Sequence, residues 1–218
     1  MISNLTYKGD IIKLTYKGNP TILKRQLIEQ TPTYAVKYVT FDREEVPVHP
    51  ELIANKIGLM VIDQTIVKEY LIDNRAVCGA IIDNERDIDD ETYEDGETFV
   101  GIRILAEHIR FHDGVSPFKY SESLITVLPN SRSFHITCLI EEGYGNQHVK
   151  YSPVVLVGYK QLEDGNDIYD VTIESTGAYS IEDLAAIVQS YSKGDEDIDI
   201  LEEERPVTVK KKRRAVNI

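Results

Sequence analysis

Sustained helical periodicity in this chain is confined to one stretch near each end, and most of what lies between reads as short strands broken by turn residues. Near the start, Asn19 can cap a helix, Pro20 suits its first position, and TILKRQLIEQ continues it until Pro32 forbids another turn. The apolar residues Ile22, Leu23, Leu27 and Ile28 spread over more than one narrow stripe, which predicts a helix packed on two sides, against a sheet and against a separate partner. Near the other end Ser180 opens a helix, and SIED places an acid three positions after the hydroxyl, as a capping box would. There Leu184, Ile187, Val188 and Tyr191 fall at i, i+3, i+4 and i+7. A stripe of that kind buries itself against something.

The first residues predict a hairpin, with LTYKG at residues 5–9 and again at 14–18, and Ile12, Leu14 and Tyr16 alternating with polar neighbours. YAVKYVTF is rich in aromatic and β-branched residues and predicts a strand over 34–41. Pro50 opens a short helix, ELIANKI, which Gly58 is expected to end in a left-handed cap. From about residue 61 to 150 the expected strands are TIVKEYLI, TFVGIRILA, SLITVL and SFHITCLI, and PVVLVGY and IYDVTI follow them. The expected class is α+β, with a β-rich unit set between two parts of different texture.

Composition excludes several functions. The chain of 218 residues carries a formal charge of −13, which argues against a nonspecific nucleic-acid binder, because phosphate contacts need a basic surface. Much of that charge is local: residues 81–97, IIDNERDIDDETYEDGE, hold nine acids against one arginine. The run offers many oxygens for a divalent ion but lacks calcium-loop spacing, so a solvated loop is the favoured reading. KKKRR, at 210–214, follows an acidic stretch and is compatible with a nuclear-import signal, a nucleic-acid-touching tail or a balancing charged end. No apolar run is long enough to span a bilayer and MISNLTYKGD does not read as a signal peptide, so a soluble, intracellular protein is expected. Cys78 and Cys138 match no metal spacing and are expected as buried free thiols.

GYGNQHVKYSPV, at 143–154, has the residue types of a phosphate cradle or an activated nucleophile. His148, Lys150 and Ser152 would line one face of a strand. A phosphate loop, however, wants Gly-Lys-Ser/Thr running into a helix, and here Pro153 and Val154 follow instead. Glu174, Ser175, Thr176 and Gly177 likewise suggest a nucleophile but lack the Gly-x-Ser-x-Gly elbow, so a turn whose hydroxyls satisfy backbone groups is expected.

Four segments, in order, resemble the family that contains the N-terminal domain of the bacterial RNA polymerase alpha subunit, the archaeal D subunit and the third-largest eukaryotic subunit. ILKRQLIEQTPTYAV is similar to that family's first helix with its Leu-Arg-Arg core, here Leu23, Lys24 and Arg25. ELIANKIGLM resembles Leu-Ala-His-Arg-Ile-Gly-Leu, with Ile53 to Leu59 in register. His148, Lys150, Tyr151, Ser152, Pro153 and Val154 match His-Ala-Lys-Trp/Phe-Ser-Pro-Val, and VTIESTGAYSIEDL matches the approach to the family's last helix. Thr21 and Ile22 replace the usual Asn-Ala, and Asn55 and Lys56 the usual His-Arg, which points to a divergent lineage such as that of a large DNA virus.

The resemblance implies a discontinuous two-helix-plus-antiparallel-sheet dimerisation domain from residues 1–60 and 155–195, a β-rich insertion at 61–154, and a charged tail at 196–218. It implies a non-catalytic assembly subunit of a multisubunit DNA-dependent RNA polymerase, acting in the nucleus, the cytoplasm, or a viral factory or virion. Its partners would be a smaller alpha-like subunit and the two largest subunits, with DNA met only through the complex and no membrane. No cofactor would be bound by this chain, the active-site magnesium sitting on the large subunits. Leu23, Leu27, Leu184, Ile187, Val188 and Tyr191 are expected to pair with the smaller subunit, and Lys24, Arg25 and Ile28 to reach a large one. Gly58, His148, Lys150, Ser152, Pro153, Glu174, Ser175, Thr176 and Gly177 are expected to be structural. The alternatives are a β-rich interaction module unrelated to transcription and a metal-dependent hydrolase using the acidic run.

Overall fold

The computed structural model describes residues 1–41, 49–84, 101–129, 132–162 and 167–191. The acidic run beyond Asn84 and the KKKRR segment lie outside the described residues. The class is α+β, with antiparallel sheets throughout, as the sequence predicts.

Both parts of the chain that flank the middle meet in one four-stranded sheet, ordered β1-β2-β9-β8. Here β1 is Ile2–Lys8, β2 is Ile11–Lys17, β8 is Val154–Gln161 and β9 is Ile168–Ser175. Gly9 at φ +57° turns the β1–β2 hairpin, a conformation that costs glycine nothing. Pairing of β2 with β9 sets Ile12 opposite Ile173, Leu14 opposite Val171 and Tyr16 opposite Tyr169, so one face is an apolar grid. Helices α1, Pro20–Glu29, and α4, Ile181–Tyr191, cover that face. The caps are those expected: the Thr21 amide donates to Asn19 Oδ1 at 3.0 Å, and the Asp183 amide to Ser180 Oγ at 3.1 Å.

A second core lies under a three-stranded sheet ordered β3-β7-β4, of Thr33–Phe41, Arg132–Gly143 and Arg75–Asn84. The helices α2, Pro50–Gly58, and α3, Gln64–Lys68, and the pair β5–β6, Ile102–Leu105 with Leu124–Leu128, complete it. The boundary expected at residue 60 therefore falls earlier. Tyr34, Val36, Ile53 and Ile57 pack in the middle core, because β3 pairs with β7 and not with a strand of the four-stranded sheet.

Three local expectations also change. TIVKEYLI opens as α3 rather than a strand, because Asp63 Oδ1 accepts from the Thr65 and Ile66 amides and nucleates a turn that β-branched side chains tolerate. Gly58 is not left-handed: it is the last residue of α2, and Leu59 follows in the right-handed region with its amide on the Asn55 carbonyl. RAVCGAIIDN forms β4 although it was not among the expected strands. Gly79 is required there, since a Cβ would lie 2.4 Å from the Ile136 carbonyl oxygen.

Candidate partner interface and motif junction

The stretch from Gly143 to Val154 leaves the middle sheet and enters the terminal one, and the side chains of Gln147, His148, Lys150 and Ser152 bond to backbone groups. His148 Nδ1 accepts from the Lys150 amide at 3.2 Å, capping a 3-10 turn at Val149–Tyr151. Lys150 Nζ donates to the Val36 carbonyl at 2.7 Å, and burial lowers its ammonium from the ordinary lysine value. The Tyr151 ring lies against Gly143, where a Cβ would come within 2.7 Å of three ring atoms. Ser152 Oγ donates to the Val154 carbonyl at 2.7 Å.

The second signature closes onto the first. Val154 pairs with Ser175 across β8 and β9, and the Thr176 amide and hydroxyl both donate to the Pro153 carbonyl, each at 3.1 Å. Gly177, at φ +84°, donates its amide to Ser175 Oγ at 3.0 Å. Glu174 stands exposed on the open face of the sheet. The side chains that suggested a nucleophile are here the knot between two strands and the last helix.

The connector from α1 to β3 is held at the same place. Thr31 Oγ1 meets Tyr191 Oη at 2.7 Å, Thr33 Oγ1 donates to the Tyr151 carbonyl, and Tyr179 Oη donates to the Pro32 carbonyl. Burial, aided by the nearby Glu142 carboxylate, pushes the Tyr179 phenol up to about 12. The folded state thus favours the neutral phenol, so this contribution is complete below the ordinary value of 10.0 and is lost as pH rises through about 12. Denaturant midpoints should fall across that window, and Tyr179→Phe should flatten the fall; equal slopes in the two proteins would contradict this role.

The helix faces differ from the expectation. Leu23, Leu27, Leu184 and Val188 have no exposed surface, because the stripe they form is met by the chain's own sheet, at Ile12, Leu14, Val171 and Ile173. They are core, not a surface awaiting another polypeptide. Ile187 and Tyr191 are half-buried, as are Ile22 and Ile28 on α1, and Ala186 is exposed. Part of Ile28 is covered by the motif loop, since the Gly145 amide donates to the Ile28 carbonyl at 2.8 Å. Lys24 and Arg25 face outward, and Arg25 Nε contacts Glu29 Oε2 at 2.7 Å one turn on. No signal in the sequence marked Gln64, which is 2 % exposed and whose amide pairs with both backbone groups of Tyr34.

Among the described residues no group of three or more histidines, cysteines and acids is placed to hold a metal, and no helix is long and apolar enough to cross a membrane. What the geometry defines is an α+β scaffold: a sheet joining two distant parts of the chain, a helical layer upon it, and signature residues spent on the junction.

No family model matches the chain. It is similar to the DNA-directed RNA polymerase subunit Rpo3 of Methanopyrus kandleri, 24% identical over 164 residues that cover 72% of this chain and 58% of that protein. It is also similar to the DNA-directed RNA polymerase subunit Rpo3 of Aeropyrum pernix, 27% identical over 184 residues that cover 77% of this chain and 63% of that protein. The chain thus spans about three fifths of the length of the curated relatives it matches. Both of these similar proteins are RNA polymerase subunits by name, and the low identities mark this chain as divergent from each of them.

Proposed function

We propose that this chain is a non-catalytic assembly subunit of a multisubunit DNA-dependent RNA polymerase, acting inside the cell or in a viral factory. It pairs with a smaller homologous subunit, and the pair is the platform on which the two large catalytic subunits dock. The observation that carries this reading is the single sheet joining two distant parts of the chain, layered by α1 and α4 and knotted at the two signature motifs, in a chain whose matched relatives bear that polymerase subunit name. The pairing surface is the outward side of the helical layer, around Ile22, Ala186, Ile187 and Tyr191, where apolar groups reach solvent beside polar ones. Such a surface is modest, so the partner covers more than these four residues.

Ile187→Arg separates pairing from folding. Ile187 is only half-buried, so the variant should keep its urea midpoint close to that of the parent yet lose the smaller subunit in co-expression pull-downs by at least about tenfold, the cost of one desolvated charge at an interface. Undiminished pairing would move the interface elsewhere. Arg25, with 74 % of its side chain exposed, is assigned to a large subunit, where a guanidinium suits bidentate carboxylate pairing. Arg25→Ala should leave the heterodimer intact and weaken recruitment of a large subunit; loss of the heterodimer would show that it faces the other partner.

A further inference from the structure

The middle sheet sets Cys78 on β4 directly opposite Cys138 on β7, in antiparallel register. Both are free thiols, 3 % and 0 % exposed, and both belong to the inward face of the sheet. Directly opposed residues of antiparallel strands have Cα atoms about 4.5–5.5 Å apart, inside the range of about 4.4–6.8 Å that disulfides occupy. Their neighbours on β4, Ala76 and Ala80, are small and buried, so the pair is not wedged apart by bulk on that strand. One side is also approachable. A groove of about 440 Å³ lies against β4 and reaches β7, lined by Cys78, Gly79, Ala80, Arg110, Phe111 and Ile136 among others. Among the described residues, β4 is bridged across it at Gly79 with Arg110.

We propose that Cys78 and Cys138 are a cross-strand thiol pair that closes to a disulfide when a low-molecular-weight disulfide reaches Cys78 through this groove, stapling the edge strand β4 to β7. The chemistry is two exchanges. The Cys78 thiolate attacks one sulfur of the small disulfide, releasing one small thiolate; the Cys138 thiolate then attacks the mixed disulfide at Cys78, forming the Cys78–Cys138 bond and releasing the second. The two cysteine protons go to the released thiolates, the cysteines are oxidised and the small disulfide is reduced. The hydrogen bond with Cys138, and then burial, push the Cys78 thiol up, so thiolate is scarce while the sheet is closed. Closure therefore waits on opening of the β4 edge at the Gly79–Arg110 bridge. Once made, the bond removes freedom from the unfolded chain across the long segment that includes residues 85–100, and it stabilises the middle unit.

The test uses the full chain with oxidised glutathione at mildly alkaline pH, followed by intact mass and by peptide mapping without reductant. Expected is the loss of two hydrogens, a single cross-linked peptide pair containing Cys78 and Cys138, and a melting temperature higher by several degrees that dithiothreitol reverses. The rate should rise in urea well below the unfolding midpoint. Cys138→Ala should instead accumulate one stable glutathione adduct, at Cys78. Only unreacted thiols in the parent protein, only glutathione adducts, or a cross-link that lowers the melting temperature would overturn the proposal.

Discussion

Replacing Gln64 with leucine is expected to cost about 2–5 kcal/mol, enough to unfold a large share of a chain of ordinary stability. Gln64 opens α3, and its side chain acts as one more strand beside the edge of β3. Its Oε1 accepts from the Tyr34 amide at 2.6 Å, and its Nε2 donates to the Tyr34 carbonyl at 3.1 Å and the Ile62 carbonyl at 3.2 Å. Leucine keeps the volume and removes all three bonds, leaving buried backbone groups with no replacement for water. Two residues along, Lys150 closes the Val36 carbonyl in the same way, so the outer edge of β3 is blocked by side chains rather than left to another strand. Urea denaturation gives the number. Gln64→Glu, which retains the acceptor for the Tyr34 amide but loses the donor, should also be strongly destabilised. A loss under about 1 kcal/mol for leucine would mean that water replaces the amide and that the junction is not held here.

Gly143→Ala should also be strongly damaging, at roughly 1–3 kcal/mol for overpacking. The new methyl would meet the Tyr151 ring at 2.7 Å. That ring cannot swing aside cheaply, because Tyr151 is buried and its carbonyl is fixed by Thr33. The proof is non-additivity. In a Tyr151→Ala background, where the ring is gone, Gly143→Ala should cost almost nothing; an unchanged cost would place the strain elsewhere. The pair also gives the signature its physical sense, as an aromatic that needs a glycine to lie on.

Local chemistry made much of this legible. Asn19, Pro20 and Ser180 mark helix starts because capping is settled within a few residues, and the alternation in β2 names the face that the sheet buries. Pro153 and the hydroxyls after it read as a turn, and they are one. What the residues do not carry is the identity of the neighbour. The stripe of Leu184 and Val188 says that α4 buries one face, but a sheet of the same chain and a helix of another satisfy that stripe equally, and the chain's own sheet takes it. In the same way, YAVKYVTF announces a strand without naming the sheet that accepts it, and β3 joins the middle one. β4 is hard to read in the sequence because Ala76, Gly79 and Ala80 are poor strand formers that suit tight packing against β7. Gln64 is silent in the sequence because a glutamine that pairs with a strand edge looks there like any helix glutamine.

The similarity to polymerase subunits and the proposed role are tested together by recovery of the native assembly. The chain, tagged at its end in its own cell or virus and isolated under mild salt, should come away with two very large polypeptides and one chain smaller than itself, and the preparation should synthesise RNA on a DNA template. Isolation as a lone monomer, with no large chains and no small partner at any salt concentration that preserves the fold, would contradict the account.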